Sequence, residues 1–188
     1  MKGILVGLGV VVLIVIFVVM GFAGVYNGIV SKHETIAAKW SQVENQLQRR
    51  NDLIPNLINT AKGYATYEKT VLEDITNARS QWAKAGSVEE KVKAAGAVDQ
   101  ALGRLLLVSE NYPNLKADQT FLTLMDELSG TENRISVERM RYNEAVRDYN
   151  VTVRMFPGNI VAGMFGYKVG TEYFKADEKA KTVPEVKF

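Results

Sequence analysis

No cysteine occurs in these 188 residues, and His33 is the only histidine. The first absence excludes disulfides, thiolate metal sites, a lipid-modified cysteine anchor and a cysteine nucleophile. The second excludes a histidine triad, a two-histidine metal site and an HExxH helix. No GxxxxGK[ST] loop, GxGxxG turn or GxSxG elbow is present, so the usual phosphate cradles and nucleophile turns are missing. Charge of one sign is not in excess either. Taking Lys2 from the 23 basic side chains leaves 22 against 21 acidic ones, unlike the basic face of a nucleic-acid binder. No catalytic residue, cofactor or metal site is expected, and no nucleic acid among the partners.

Charge is also missing from one long stretch. From Gly3 to Val25 every residue is apolar or glycine, and no charged side chain lies between Lys2 and Lys32. At about 1.5 Å per residue, such a helix crosses a hydrocarbon core of about 30 Å. Gly21-Phe22-Ala23 resembles a signal-peptidase site, but the apolar cores of signal peptides run only about 7–15 residues. Residues 1–30 therefore read as a retained, single-pass anchor in the bilayer. Lys32 and Lys39, with Arg49 and Arg50 just beyond, weigh slightly more than Lys2 and the α-amine. Positive charge stays cytoplasmic, so the remaining chain leans to that side without being fixed there. Gly3-xxx-Gly7 and Gly24-xxx-Gly28 have a spacing that lets membrane helices approach, although both pairs sit at the ends of the span.

What the chain has in abundance is helical periodicity. Alternating steps of four and three from Ile36 reach Trp40, Val43, Leu47, Arg50, Ile54, Leu57, Ala61, Tyr64, Glu68, Val71, Ile75, Ala78 and Trp82. All but Arg50 and Glu68 are apolar or aromatic, so the stretch reads as one long amphipathic helix with a bundle seam. Pro55 is its interruption, predicting a kink or restart near Asn51–Pro55. Ser87 and Glu90 have capping-box spacing ahead of a second helix to about Asn111, in which Gly96 and Gly103 suggest a close-packed neighbour. Asp118 is placed to cap a third helix to about Met155, and Asn159 a short fourth through Phe165. The expected fold is all-α: a transmembrane helix, then an up-and-down bundle of three long helices and a short fourth. The bundle is expected over 31–166, with an extended tail packed on it over 167–188.

Arg50 and Glu68, with Glu132 and Arg139 of the third helix, make the strongest polar constellation. Arg50 and Glu68 lie roughly 27 Å apart on a straight helix, so each needs a partner elsewhere. Buried charges of this kind fix helix register more often than they catalyse. Tyr142-Asn143 and Tyr149-Asn150 repeat one heptad apart and read as core rings with their hydroxyls at a polar rim. Asn150-Val151-Thr152 matches a glycosylation acceptor but falls inside a helix.

The run Gln46-Leu47-Gln48-Arg49-Arg50-Asn51-Asp52-Leu53-Ile54-Pro55-Asn56-Leu57, then Lys62-Gly63-Tyr64-Ala65 and Glu68, resembles the signature of the LemA family. Glu127 to Ile135, the Tyr-Asn pairs, Phe156-Pro157-Gly158-Asn159, Ala162 to Gly166, and Tyr173 to Glu178 are similar too. Departures are Gly158 in place of an expected serine and Lys175 in place of glutamate, neither expected to bear on function. The resemblance implies a bacterial protein of the cytoplasmic membrane, anchored by one N-terminal helix and carrying an up-and-down bundle. It implies no enzymatic activity and no catalytic residues; one relative is associated with magnetosome membranes.

The 24-residue second helix is too short to cover a 47-residue seam. An uncovered strip at Ile36, Trp40, Val43 and Leu47 is therefore expected, and exposed apolar strips of that length are unusual on monomers. The leading expectation is a scaffold that self-associates there as a homo-oligomer. The alternative is an adaptor docking a different membrane protein or protease, an as yet unidentified partner. An enzyme built on the Glu–Arg cluster ranks last.

Overall fold

Breaks at Gly63-Tyr64, Ala85-Gly86 and Glu110-Asn111 interrupt the helices after the anchor. The computed structural model describes residues 2–64, 68–170 and 173–174, and among them the regular elements are all helices. These are α1 (Lys2–Lys62), α2 (Lys69–Lys84), α3 (Val88–Ser109), α4 (Pro113–Lys116), α5 (Gln119–Arg154) and α6 (Gly158–Phe165). Together they make an apolar N-terminal helix followed by an up-and-down bundle. Most of the expected tail, 171–172 and 175–188, lies outside the described residues.

The single helix expected over Ile36–Trp82 is instead two. Helix α1 ends at Lys62, where the N–H groups of Gly63 and Tyr64 turn back onto the carbonyls of Thr60 and Ala61. Helix α2 then packs Leu72, Ile75 and Ala78 into the same core as Ile54, Leu57 and Ala61 of α1. A reversal that keeps the apolar phase is invisible to periodicity. The break is also not at Pro55, which α1 carries inside it. Proline has no N–H to offer the carbonyl four residues back, and that carbonyl is Asn51's. Arg79 of α2 supplies the donor, its Nε bonding Asn51 O at 3.1 Å. Asn51 itself is buried, and its Nδ2 donates to Leu47 O at 2.9 Å.

The other signals hold more closely. Ser87 and Glu90 form the capping box of α3, and Asp118 Oδ1 accepts from Phe121 N at 2.9 Å at the start of α5. Helix α6 starts two residues earlier than an Asn159 cap would place it, at Gly158, and Asn159 Oδ1 accepts from Ile160 N inside its first turn. Gly96 and Gly103 do not mark close packing: a Cβ at either would meet nothing within 4 Å. Gly158 does. A Cβ there would stand 2.0 Å from the Thr152 carbonyl oxygen, so the serine expected at this position cannot fit this backbone unchanged.

Packing divides the chain into two units, Met1–Gln42 with Glu138–Phe188, and Val43–Val137. The second unit holds a core built from α1 through α5, including Ile54, Ile75, Leu105, Leu115 and Phe121. In the first, the N-terminal part of α1 faces the C-terminal part of α5, with His33 against Tyr149 and Trp40 against Tyr142. Seven residues forward on α1 match seven backward on α5, as antiparallel helices require.

Candidate functional site

In the Val43–Val137 unit, Arg50 is one of the few charged side chains the fold buries, with 7% of its side chain exposed. It pairs with Asp99 of α3 and, at 2.9 Å, with Glu132 of α5. The two carboxylates keep 34% and 43% exposure, so they retain contact with water and the arginine does not. Asp99 was not anticipated from sequence. It lies off the apolar stripe of its helix, and only the fold brings it to Arg50. The other expected members are elsewhere. Glu68 immediately precedes α2, half-buried, and accepts a 3.1 Å bond from the Tyr112 hydroxyl. Arg139 lies over the Phe174 ring at 5.3 Å. The four-residue network thus reduces to one buried arginine tying α1 to α3 and α5.

The strip expected to lie uncovered is covered. Ile36, Val43 and Leu47 are buried within the chain, Val43 completely. Trp40 is half-buried, stacked on Phe174 at 5.9 Å and edge-on to Tyr142. The length argument failed because it set only the second helix against the seam.

The Tyr-Asn repeat has a use that sequence reading missed. Asn143 pairs its side-chain amide with the backbone of Phe174, donating to its O at 3.1 Å and accepting from its N at 2.9 Å. One heptad on, the Tyr149 hydroxyl donates to Lys168 O at 3.3 Å and Asn150 Nδ2 donates to the Tyr173 hydroxyl at 3.4 Å. Each pair thus holds the chain that returns along α5 after α6. Burial raises the pKa of Tyr149 above the ordinary phenol value, which keeps its proton available for that bond.

None of this is catalytic geometry. Among the described residues no group of three or more His, Asp or Glu side chains gathers where it could hold a metal ion. The family signal is much stronger than any site signal: the model described as LemA family matches residues 39–188. The chain belongs to the LemA family. Over 176 residues it is 30% identical to magnetosome protein MamQ 2 of Paramagnetospirillum magneticum, covering 80% of this chain and 64% of that protein. It is 28% identical over 175 residues to magnetosome protein MamQ of Magnetospirillum gryphiswaldense, covering 79% and 64%. Protein LemA of Metamycoplasma hominis is 27% identical over 146 residues, covering 75% and 65%. The chain spans less than two thirds of the length of these curated relatives. As a LemA-family member it is a bacterial membrane protein held by one N-terminal helix, and among the described residues only α1 is long and apolar enough to cross.

Proposed function

We propose that this LemA-family protein is a non-enzymatic, membrane-anchored scaffold that self-associates and organises the membrane, or proteins at it. The observation that carries the reading is the open anchor: the side chains from Gly3 to Gly24 are exposed throughout. Lipid covers most of such a helix. A Cβ at Gly3, Gly7, Gly24 or Gly28 would meet nothing within 4 Å, so the faces suited to close helix contact are unfilled. Confinement to one plane in a common orientation raises the effective concentration of copies. The names of the MamQ relatives, which place them with a membrane compartment, favour an organising role.

The buried Ile36–Leu47 seam is no longer the contact. Val43→Glu would disrupt the fold before it dispersed any assembly, since Val43 is fully buried. The test is the particle mass of full-length protein in mild detergent and in nanodiscs, with and without Gly24→Leu and Gly28→Leu. A multimer that the paired substitutions disperse, with helical content unchanged, supports the reading. A monomer in both media overturns self-association and leaves the adaptor for a different membrane protein.

A further inference from the structure

The end of the bundle from which α1 leaves carries a second apolar element. Residues 155–167 contain no charged side chain and are flanked by Arg154 and Lys168, both exposed. The stretch comprises the turn after α5, all of α6, and Gly166, which closes α6 in the left-handed region at φ 77°. Helix α6 has one face in the core, through Val161 and Ala162. Its other side is Ile160, Met164 and Phe165, and Phe156 precedes it; Phe156 is 79% exposed and Met164 68%. For a water-facing surface this is a costly arrangement, because contiguous exposed apolar groups mark a binding face.

The anchor says what covers that face. From Gly3 to Gly24 every residue of α1 is exposed, and Ile29 is the first to be fully buried. Twenty residues from Gly3 carry a helix about 30 Å, the thickness of the hydrocarbon core, so the chain leaves it near Phe22–Tyr26. At that level the Tyr26 ring lies 4.6 Å from Phe165 and 6.3 Å from Tyr167. Phe165 is therefore fixed at the depth where α1 passes from acyl chains to headgroups. Tyrosine, an apolar ring with a polar tip, suits that layer.

We propose that α6 and the turn before it form a second membrane contact, lying in the interfacial layer of the leaflet from which α1 emerges. Phe156, Ile160, Met164 and Phe165 enter the acyl boundary, and Arg154 and Lys168 meet lipid phosphates. The anchor alone leaves the bundle free to tilt about a single helix; the second contact holds α5 and α6 at a defined height. The inference rests on the anchor reading and is independent of self-association.

The absence of cysteine makes site-directed nitroxide labelling clean. Full-length protein in nanodiscs containing phosphatidylglycerol is labelled at Met164→Cys, at Ile160→Cys, at Leu107→Cys on an exposed position of α3, and at Leu13→Cys within the span. Collision with oxygen, relative to a water-soluble nickel chelate, is expected to be several-fold higher at 160 and 164 than at 107. Label 13 reports the anchor by itself: if it collides mainly with the chelate, the anchor reading fails. If label 13 is buried in lipid while 160 and 164 are as accessible to the chelate as 107, the second contact is overturned. Protection of 164 from both reagents, with dipolar coupling between labels, assigns the face to a second copy and overturns it too.

Discussion

Arg50 shows how exposure decides the cost of a charge. Breaking a buried ion pair costs about 3–5 kcal/mol when a charge is left stranded, but which charge is stranded matters. Arg50→Ala leaves Asp99 and Glu132, both more than a third exposed, able to rehydrate; the loss is expected at the lower end, about 3 kcal/mol. Asp99→Ala with Glu132→Ala leaves a guanidinium that is almost wholly buried, and urea melts are expected to show the larger loss there. Replacing all three with apolar residues is expected to recover much of it. An Arg50→Ala protein that melts normally but loses its cellular role would make the cluster functional instead. Glu68→Ala, which removes one half-buried hydrogen bond, is expected to cost only about 1 kcal/mol. Asp118 titrates in the opposite sense to a stranded acid. Its pKa lies below the ordinary carboxylate value because Phe121 N–H and then the Tyr64 hydroxyl donate to it. A carboxylate with a depressed folded pKa contributes stability that is full above its unfolded value, about 3.9, and is lost as pH falls through the folded one. The difference in melting temperature between wild type and Asp118→Ala is therefore expected to be constant from neutral pH to about 5 and to shrink below about 4. A difference that is unchanged at pH 2.5 would remove the carboxylate from the cap.

Among the elements, the α1–α2 hairpin turns on one borrowed hydrogen bond. Arg79→Ala leaves the buried Asn51 carbonyl without its donor and is expected to cost about 1–3 kcal/mol. Pro55→Ala restores a backbone N–H for the same oxygen, so in that background Arg79→Ala is expected to cost markedly less. A double-mutant cycle in urea measures the difference; additive losses would mean that Arg79 acts through something other than that carbonyl. The hairpin also marks where the sequence could and could not be read. Helix phase, the Ser87–Glu90 box and the Asp118 cap were legible because each is local and encoded within one turn or one stripe. The reversal at Gly63 was not, because Leu57 and Val71, like Ala61 and Ile75, lie fourteen residues, two heptads, apart across it. Nor was the partnership of Pro55 with Arg79, or of Arg50 with Asp99, since a donor on another helix leaves no mark on the periodicity. The Tyr142-Asn143 and Tyr149-Asn150 repeat was visible as a pattern, and its purpose appears only when the returning chain at Lys168 and Phe174 is set beside it.

For the whole molecule, the anchor and the bundle overlap more than composition suggests. Hydrophobicity drew the boundary at residue 30, just before charge resumes at Lys32. Packing draws it nearer Gly24, because Tyr26 lies against Phe165 and Tyr167 and Ile29 is completely buried. A chain beginning at Ser31 forfeits the burial of Ile29, about 1.5–3 kcal/mol, and the Tyr26 ring contacts, about 0.5–1.5 kcal/mol each. A chain beginning at Val25 keeps both. Full-length protein is expected to resist carbonate extraction, and both truncated chains to come free of it. The Val25 chain is expected to melt at clearly higher urea than the Ser31 chain, by the sum of those contacts, with the same slope. Equal midpoints would mean that the first turn after the span contributes nothing to the bundle. Full-length protein in the soluble fraction, or a mature N-terminus near Gly24 by mass spectrometry, would sink the anchor itself. The Val25 chain also retains α6, Arg154 and Lys168. It is therefore expected to sediment with phosphatidylglycerol vesicles weakly and to be released by salt, as one short apolar face with two basic flanks should be.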